Sequence, residues 1–500
     1  PYPHERLLNN WKLLLTNQFH DIIPGSSISR VYDEAKETYR SIESDLGDLC
    51  KTILQKLSSS VNSSVSGDLR FYNDLGWERD DPVYFPADLI KGASALKTDG
   101  GEKTYSIQRY TNMDGKETAV SSPRLPSLGW ITLCPAELAS ESPFTFRDDN
   151  LKTPFYNVSF DEAGRIKSLF DINRDRELTA SGGVLNGFVS AQDVPVLWEA
   201  WDIEADWTRY ITEETRLLST EIAASGPVCF RIRRKYKIGE ASLLTQDTVF
   251  YAENPRIDFE TLVDWREKRR LLKVQFDTAV NTSQIRCEVQ FGHLLRNTHK
   301  NLPNDRARFE FCAHKWVSLE EEGGGIALIN DCKYGHDAEG GRVRLTLLRS
   351  PIAPDPDADQ GEHRFTYALF PFSGSFGESA LVRSGYELND PARTEPAPSV
   401  SSGFTEYSLF STEGRSIITE AIKMNEPSAA DDGKKRLVIR LYESLGGPAK
   451  TVLRFNRILL SAAETDMLEE NPKELSVKGK ELFLEFRAFE IKTILVTFSE

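Results

Sequence analysis

Apolar residues in the first sixty positions recur at helical spacing, in two stripes separated by Pro24-Gly25. The first stripe comprises Trp11, Leu14, Leu15 and Ile22. The second comprises Ile28, Val31, Tyr32, Ala35, Tyr39, Ile42, Leu46, Leu49, Ile53 and Leu57. Spacing of this kind is typical of helices that pack against partner helices. Because two helices cannot enclose a core, we expect a third element to cover their apolar faces.

From Gly67 onward the spacing changes to period two, with turn residues at short intervals. Residues 342–347 and 436–442 alternate between apolar and polar, and Gly446-Gly447-Pro448 marks the turn after the second run. Many short strands without helical patterns between them predict antiparallel sandwiches rather than a parallel α/β sheet. The predicted fold is mainly β with a short α-helical N-terminal segment, which is part of a helical bundle followed by several antiparallel β-sandwich domains.

Breaks in these patterns divide the chain into roughly three or four packed units, the number expected for 500 residues. A Ser-rich run at 58–66 is the predicted linker after the helices, and 391–398 is rich in proline with few apolar residues. The predicted parts are a helical segment at 1–65, a small β domain at 66–148, a large β-sandwich at 149–390 and a C-terminal β-sandwich at 391–500.

Composition and charge exclude several classes of partner. The net charge is −15, without a run of basic residues, so nucleic acid and anionic membranes would be repelled. No stretch approaches the ~20 apolar residues that span a bilayer. The six cysteines are widely spaced without a CxxC pair, which indicates free thiols in a reducing compartment. The chain begins with Pro1 rather than Met, so we expect a preceding segment, and homo-oligomerisation is left open.

One short motif combines residues that suit metal and sugar binding. Asn17-Gln18-Phe19-His20-Asp21 stands at the predicted C-terminal end of the first helix, just before the Pro-Gly break. A neutral imidazole binds zinc, and a neighbouring carboxylate can accept hydrogen bonds from sugar hydroxyls. Taken alone, a surface histidine stabilised by the helix dipole is the commoner occupant of such a position. The wider sequence context decides between these two interpretations.

Six blocks of sequence supply that context, in order and over most of the chain. They are 17–32 (NQFHDIIPGSSISRVY), 290–301 (QFGHLLRNTHKN), 313–316 (AHKW), 328–349 with the acidic loop after it, 365–369 (FTYAL) and 439–447 (IRLYESLGG). Together they resemble the α-mannosidases of glycoside hydrolase family 38. Their wording is most similar to the cytosolic, vacuolar and bacterial branch, which implies a cytoplasmic protein, with the vacuole as the alternative.

The resemblance implies a zinc-dependent retaining α-mannosidase that hydrolyses α-mannosidic bonds in oligosaccharides. His20 matches the family's zinc-ligand histidine, and Asp21 matches the adjacent aspartate that contacts mannose. The other ligands, the nucleophile and the general acid of the family belong to an N-terminal catalytic barrel, whose motifs are absent from this sequence. Since retention needs both carboxylates, we expect this chain alone to be inactive.

Three further residues are predicted to contact substrate. Glu199-Ala200-Trp201-Asp202 resembles a family segment, usually Asp-Ala-Trp-Asp, on the route to the active-site mouth, and Glu199 departs from that pattern. Trp201 could stack on a sugar face and Asp202 could bind its hydroxyls, although a buried core tryptophan followed by a turn aspartate explains the segment equally well. Arg349 corresponds to a family arginine that reaches the active site.

The same sequence features allow other interpretations. A non-catalytic β-sandwich module for carbohydrate binding or interaction fits the strands, but it has no need of a helical segment that ends in His-Asp. An epimerase-like enzyme would need an acid/base pair of its own. The alternating Asp355, Asp357 and Asp359 suggest a calcium or substrate site, with a polar loop as the alternative. A second metal site at His293, His299 and His314 is disfavoured by their spacing.

Overall fold

The computed structural model describes residues 2–59, 67–212, 214–397, 405–426 and 436–499. Helix α1 spans His4–Thr16 and α2 spans Ser29–Ser59, so the rest of the predicted Ser-rich linker, 60–66, lies outside the described residues. Arg6 Nε and Asn10 Nδ2 of α1 bind Asp45 of α2 at 2.9 and 2.7 Å. No described helix has the length and apolar character needed to cross a membrane.

The first helix is shorter than its hydrophobic spacing predicts, and Ile22 is not part of it. After Thr16 the backbone forms hydrogen bonds between residues three apart in the sequence. Phe19 N donates to Thr16 O at 3.2 Å, and Ile22 N donates to Phe19 O at 2.8 Å. Thr16 and Asn17 are weak helix formers, which favours the tighter turns. The prediction that the helix continues to Pro24 was therefore wrong.

Strands β1 to β7 follow the helices and form the first β region. They are β1 Leu69–Asn73, β2 Val83–Pro86, β3 Ala95–Thr98, β4 Thr104–Ser106, β5 Gln108–Thr111, β6 Glu117–Ser121 and β7 Gly129–Ala136. Two late strands, β28 (Arg393–Pro396) and β29 (Glu406–Ser408), return to this region. The larger sheet has the order β28-β1-β7-β3-β4, with β29 also paired to β7, and a small sheet has the order β2-β6-β5.

Two large antiparallel sheets face each other in the centre of the molecule. The strands of the first are β8 Thr145–Arg147, β9 Asn150–Lys152, β10 Tyr156–Phe160, β11 Ile166–Asp171, β12 Arg176–Glu177, β13 Leu185–Gln192, β14 Ile211–Thr212, β19 Arg270–Asp277, β22 Phe311–Cys312, β25 Gly335–Glu339 and β26 Arg342–Arg349. The strands of the second are β15 Thr215–Ser225, β16 Cys229–Ile238, β17 Ser242–Tyr251, β18 Ile257–Trp265, β20 Gln284–Val289, β21 Gly292–Asn297, β23 Trp316–Glu321, β24 Gly324–Asn330 and β27 Gly361–Ser373. Their inner faces share one buried apolar core.

The last strands form a smaller sandwich with its own core. One sheet contains β30 Phe410–Thr412, β33 Ala449–Phe455, β36 Val477–Lys478 and β37 Glu481–Phe486. The other contains β31 Ile417–Met424, β32 Leu437–Glu443, β34 Leu459–Thr465, β35 Lys473–Leu475 and β38 Ile491–Phe498. Two short helices, α3 Pro303–Ala307 and α4 Leu381–Asn389, interrupt the strands. The predicted fold class is confirmed, while the domain boundaries near 66, 148 and 390 stay predictions.

Candidate functional site

The His20-Asp21 pair lies in the turns that follow α1, not in the helix. His20 Nε2 stands 3.4 Å from Asp21 Oδ2, and the two side chains are 69% and 46% exposed. The Phe19 ring packs beside the imidazole, with 4.4 Å between ring centroids. An imidazole and a carboxylate are therefore presented together to the surroundings on a short, tightly turned segment.

Tyr32, on the first turn of α2, fixes this segment from behind. Its hydroxyl donates to Asp21 O at 3.3 Å and accepts from Ser27 N at 2.7 Å. Burial raises the pKa of Tyr32, and the negative charges of Asp355, Asp21 and Asp359 raise it further. Tyr32 was predicted only as a member of the apolar stripe, because the hydroxyl that anchors the turn leaves no signal in the spacing.

The acidic loop after β26, residues 350–360, contacts the start of α2. Asp355 Oδ1 accepts from Ser29 Oγ at 2.7 Å, which ties the start of α2 to this loop. Asp359, at a positive φ of 57°, accepts from Arg349 N at 3.3 Å, and Asp357 pairs with Lys268 at 3.0 Å. Because each aspartate serves a different protein partner, the loop is a connecting element and the calcium interpretation is not supported.

Arg349 links the acidic loop to a long segment, 193–206, that we call the arm. Its Nε donates to Asp193 Oδ2 at 2.6 Å, and its Nη2 donates to Glu199 O at 2.8 Å and also to the carbonyl of Asp202. The arm begins where β13 ends. Because β13 and β26 each pair antiparallel with β19, their C-terminal residues lie at the same end of the sheet, where Asp193 and Arg349 meet. Arg349 thus acts mainly on the arm.

Glu199, which departs from the family pattern, stabilises the arm next to Arg349. Its carboxylate accepts from Ile352 N at 3.0 Å and from Arg269 Nη2. One carboxylate therefore fastens the middle of the arm to both the acidic loop and the start of β19. An aspartate side chain, one methylene shorter, would have to approach these donors more closely.

Trp201 and Asp202 lie at the exposed part of the arm. Trp201 is 56% exposed, so it is not a core tryptophan, and Asp202 is exposed beside it. Asp202 N donates to Trp198 O at 3.0 Å, which makes the segment a tight turn. Val196, Leu197 and Trp198 are also exposed, at 84%, 64% and 72%. Apolar side chains in such number on one arm indicate a surface for contact.

The structure thus joins all five predicted site residues into one connected region. Tyr32 of α2 binds the His20-Asp21 turn, Ser29 of α2 binds Asp355 of the acidic loop, and Arg349 links that loop to the arm that carries Trp201 and Asp202. Sequence reasoning did not single out Tyr32, Asp193 or the holding role of Glu199. Asp193 comes directly after a strand, but that position alone gives no function.

The residue types in this region fit one part of a zinc site. His20 and Asp21 offer an imidazole nitrogen and a carboxylate, the donors that zinc accepts from proteins. Across the described ranges, no three His, Cys, Asp or Glu side chains stand together as a metal-binding group, His293, His299 and His314 included. The described residues can therefore hold a zinc ion only together with ligands from elsewhere.

Three parts of the chain match known protein families. Residues 1–57 match the alpha mannosidase middle domain, 151–357 the glycosyl hydrolases family 38 C-terminal domain, and 416–494 the glycosyl hydrolases family 38 C-terminal beta sandwich domain. The three matches follow the order of the helical segment, the large sandwich and the last sandwich. By fold and sequence, the chain thus consists of domains that are found in glycoside hydrolases.

Relatives that match over the full chain narrow the class to one family. The chain is 34% identical to alpha-mannosidase 2C1 of Homo sapiens, covering 99% of this chain and 46% of the relative, and 28% identical to alpha-mannosidase of Saccharomyces cerevisiae, covering 94% and 40%. The structure of an alpha-mannosidase from Enterococcus faecalis V583 superposes with a TM-score of 0.79 at 16% identity, covering 99% of this chain and 64% of that one. The chain belongs to glycoside hydrolase family 38 and spans about half the length of these curated relatives.

Proposed function

We propose that this chain is the C-terminal portion of a zinc-dependent retaining α-mannosidase that hydrolyses α-mannosidic bonds in oligosaccharides. The observation that carries this proposal is the series of hydrogen bonds from the His20-Asp21 turn, through Tyr32 and Ser29 of α2 and the acidic loop, to Arg349 and Asp202. A residue pair that suits metal and sugar binding is thereby connected to an arm with exposed aromatic side chains. A free-standing binding module would need no such helical turn, which weighs against the non-catalytic alternative.

Each residue has a chemical role in this proposal. His20 would hold zinc through its imidazole, and zinc, when bound, would act as a Lewis acid toward the sugar's vicinal hydroxyls. Asp21 accepts hydrogen bonds from mannose hydroxyls. Trp201 stacks on the apolar face of the sugar ring, and Asp202 binds hydroxyls at its edge. Arg349 keeps the arm in place, and its Nη1, which no described residue engages by a hydrogen bond, is left for substrate.

The remaining chemistry belongs to a catalytic barrel of the same protein. Retention requires a nucleophile and a general acid roughly 5–5.5 Å apart, and the sequence shows no such pair with the family's motifs. The exposed apolar residues Trp11, Phe19 and Ile23, at 57%, 57% and 66%, give the barrel a surface to pack against. The six free cysteines support a reducing, cytoplasmic location, with the vacuole as the alternative.

Replacing His20 with Ala in a protein that also contains the barrel tests the zinc assignment. We expect the variant to lose stoichiometric zinc, measured by elemental mass spectrometry, and to lose at least about 100-fold in kcat/KM for an aryl α-mannoside, because a ligand and its metal act directly on substrate. The β regions should melt as before, since His20 is 69% exposed.

His314→Ala is the matched control, because His314 is partly exposed and its imidazole contacts Gln290 at 2.9 Å, outside the connected region. If the His20 variant keeps one zinc per chain, the assignment of His20 is wrong. This chain alone, supplied with zinc, should show no turnover of the same substrate, and hydrolysis that persists through purification would place a catalytic pair within it.

A further inference from the structure

A hollow of about 440 Å³ is lined by the arm and by Trp207 and Tyr210, which follow the arm in the chain. We propose that this hollow is a second glycan subsite that takes a neutral, mannose-containing part of the oligosaccharide, an assignment that rests on the proposed function and extends it. The residues that carry the argument are Asp193, Val196, Glu204, Asp206, Trp207 and Tyr210. The volume lies within the range of about 300–1,000 Å³ that is common for small-ligand sites.

The aromatic floor of the hollow is rigid. Trp207 is only 4% exposed, and its ring lies over two cations of the sheet below, 4.9 Å from Lys273 Nζ and 5.3 Å from Arg344 Cζ. Tyr210, three residues further on, is 50% exposed. The buried indole fixes the floor, and the solvent-facing phenol of Tyr210 beside it offers the apolar ring face that the CH surface of a sugar requires.

The polar wall has a carboxylate with unused hydrogen-bonding capacity. Asp193 is 5% exposed, and Arg349 Nε binds its Oδ2 at 2.6 Å, whereas none of the described residues donates to its Oδ1. Burial raises the pKa of Asp193, as expected where water has limited access. A buried acceptor of this kind favours a ligand that brings a donor, such as a hydroxyl group.

Two further carboxylates complete the wall. Glu204 Oε1 accepts from Val196 N at 2.9 Å, and Asp206 Oδ2 accepts from Arg209 Nη1 at 3.3 Å. Each of these contacts uses one oxygen and leaves the other for the hollow. Sugar hydroxyls in pairs can donate to several such oxygens at once.

The charge of the hollow selects the class of ligand. Arg349 pairs with Asp193 and Arg209 pairs with Asp206, while Glu204 has no ion pair among the described residues. These five groups together carry one net negative charge, which disfavours a phosphorylated or acidic sugar. A metal ion is disfavoured as well, since the described residues hold no metal-binding group of three side chains. Arg349 binds both Asp193, in the hollow, and the carbonyl of Asp202. Neighbouring sugar units of one neutral oligosaccharide can therefore occupy the hollow and contact Asp202.

Binding by this chain itself tests the subsite without any need for activity. In calorimetric titration with a neutral high-mannose oligosaccharide, we expect saturable binding that weakens about five-fold or more in Tyr210→Ala and in Asp206→Asn. Tyr39→Ala and Asp175→Asn are matched controls with similarly exposed side chains elsewhere, and they should bind like the parent chain. An oligosaccharide ending in mannose 6-phosphate should bind more weakly than the neutral one.

No saturable binding, or equal binding by all four variants, would overturn the subsite. Tyr210 and Asp206 are at least partly exposed, so unchanged melting temperatures will show that the variants are folded. If the complete protein proves inactive while this chain binds glycan through Tyr210, the mannosidase proposal fails and the subsite stands. An active enzyme whose C-terminal portion binds no glycan gives the reverse result.

Discussion

The large central sandwich and the N-terminal helical segment differ in how they bury apolar surface. In the sandwich, Trp265, Phe276 and Tyr367 are completely buried between the two sheets. In α1, no residue is buried, and Trp11 and Leu15 are each 57% exposed. The sandwich therefore closes its own core, whereas the helical segment presents apolar side chains to another partner.

Charged residues show the same contrast. Lys273 is fully buried in the sandwich and binds Glu310 and Asp337 at 2.7 and 2.9 Å, and Arg344 adds a second contact to Asp337 at 2.8 Å. His20 and Asp21, in the turn after α1, are exposed. Charges in the sandwich have protein partners, while those at the turn are available to a ligand. Residues that stabilise the fold and residues that can bind a ligand therefore lie in different regions of this chain.

Replacing one tryptophan in each region tests this separation with the largest expected effect. Trp265→Ala should destabilise the large sandwich by about 3–5 kcal/mol, because it removes a side chain that is 0% exposed and leaves a cavity. Trp11→Ala, at a site that is 57% exposed, should change stability by less than about 0.5 kcal/mol. Urea unfolding followed by circular dichroism gives both values. Equal losses in the two variants would show that α1 already has its packing partner within this chain.

Local sequence patterns predicted the strands well, for a physical reason. Residues 342–347 lie in β26 and residues 437–442 in β32, and the alternate positions Val343 and Leu345, and Ile439 and Leu441, belong to the cores of the two sandwiches. The end of α1 could not be read in this way, since Phe19 and Ile22 continue the helical spacing into turns. The return of β28 to β1 was also invisible, because alternation identifies a strand without naming its partner.

The candidate site was predictable only in part. His20, Asp21, Trp201, Asp202 and Arg349 came from motifs in continuous sequence. The contacts that connect them are long-range, such as Ser29 with Asp355, 326 residues apart. Arg349 binds two backbone carbonyls, and carbonyls have no signature in a sequence. Only the folded chain reveals that these motifs share one region.

A buried histidine sharpens the comparison with a smaller effect. His336 is completely buried, and burial lowers its pKa from 6.5 to about 4, with Nε2 left without a partner among the described residues. Because the folded state then binds fewer protons than the unfolded chain, stability is fully present above pH 6.5 and falls as the pH drops toward 4. The loss should reach at most about 3 kcal/mol, since one pKa unit corresponds to about 1.4 kcal/mol.

His336→Phe should make the unfolding midpoint of the sandwich less dependent on pH between 6.5 and 4, and its ring can still stack on Phe311. His20→Phe, at a position whose side chain is 69% exposed, serves as the control and should leave the dependence unchanged. An acid dependence that is the same in both variants would assign the effect to other groups of the sandwich.

Asp202→Ala should have the smallest effect on stability and a clear one on function. Only the backbone of Asp202 takes part in the described hydrogen bonds, through its carbonyl to Arg349 and its amide to Trp198, and alanine keeps both. The melting temperature of this chain should therefore stay within about one degree. In a protein that includes the barrel, kcat/KM for an α-mannoside should fall roughly ten-fold or more, because a hydrogen bond to a charged group contributes about 1.5–3 kcal/mol. Glu204→Ala, on the hollow side of the same arm, would lower the melting temperature through its lost bond to Val196 N, so the two variants separate binding from support of the arm. If Asp202→Ala melts earlier and keeps full activity, the carboxylate stabilises the turn and does not contact substrate.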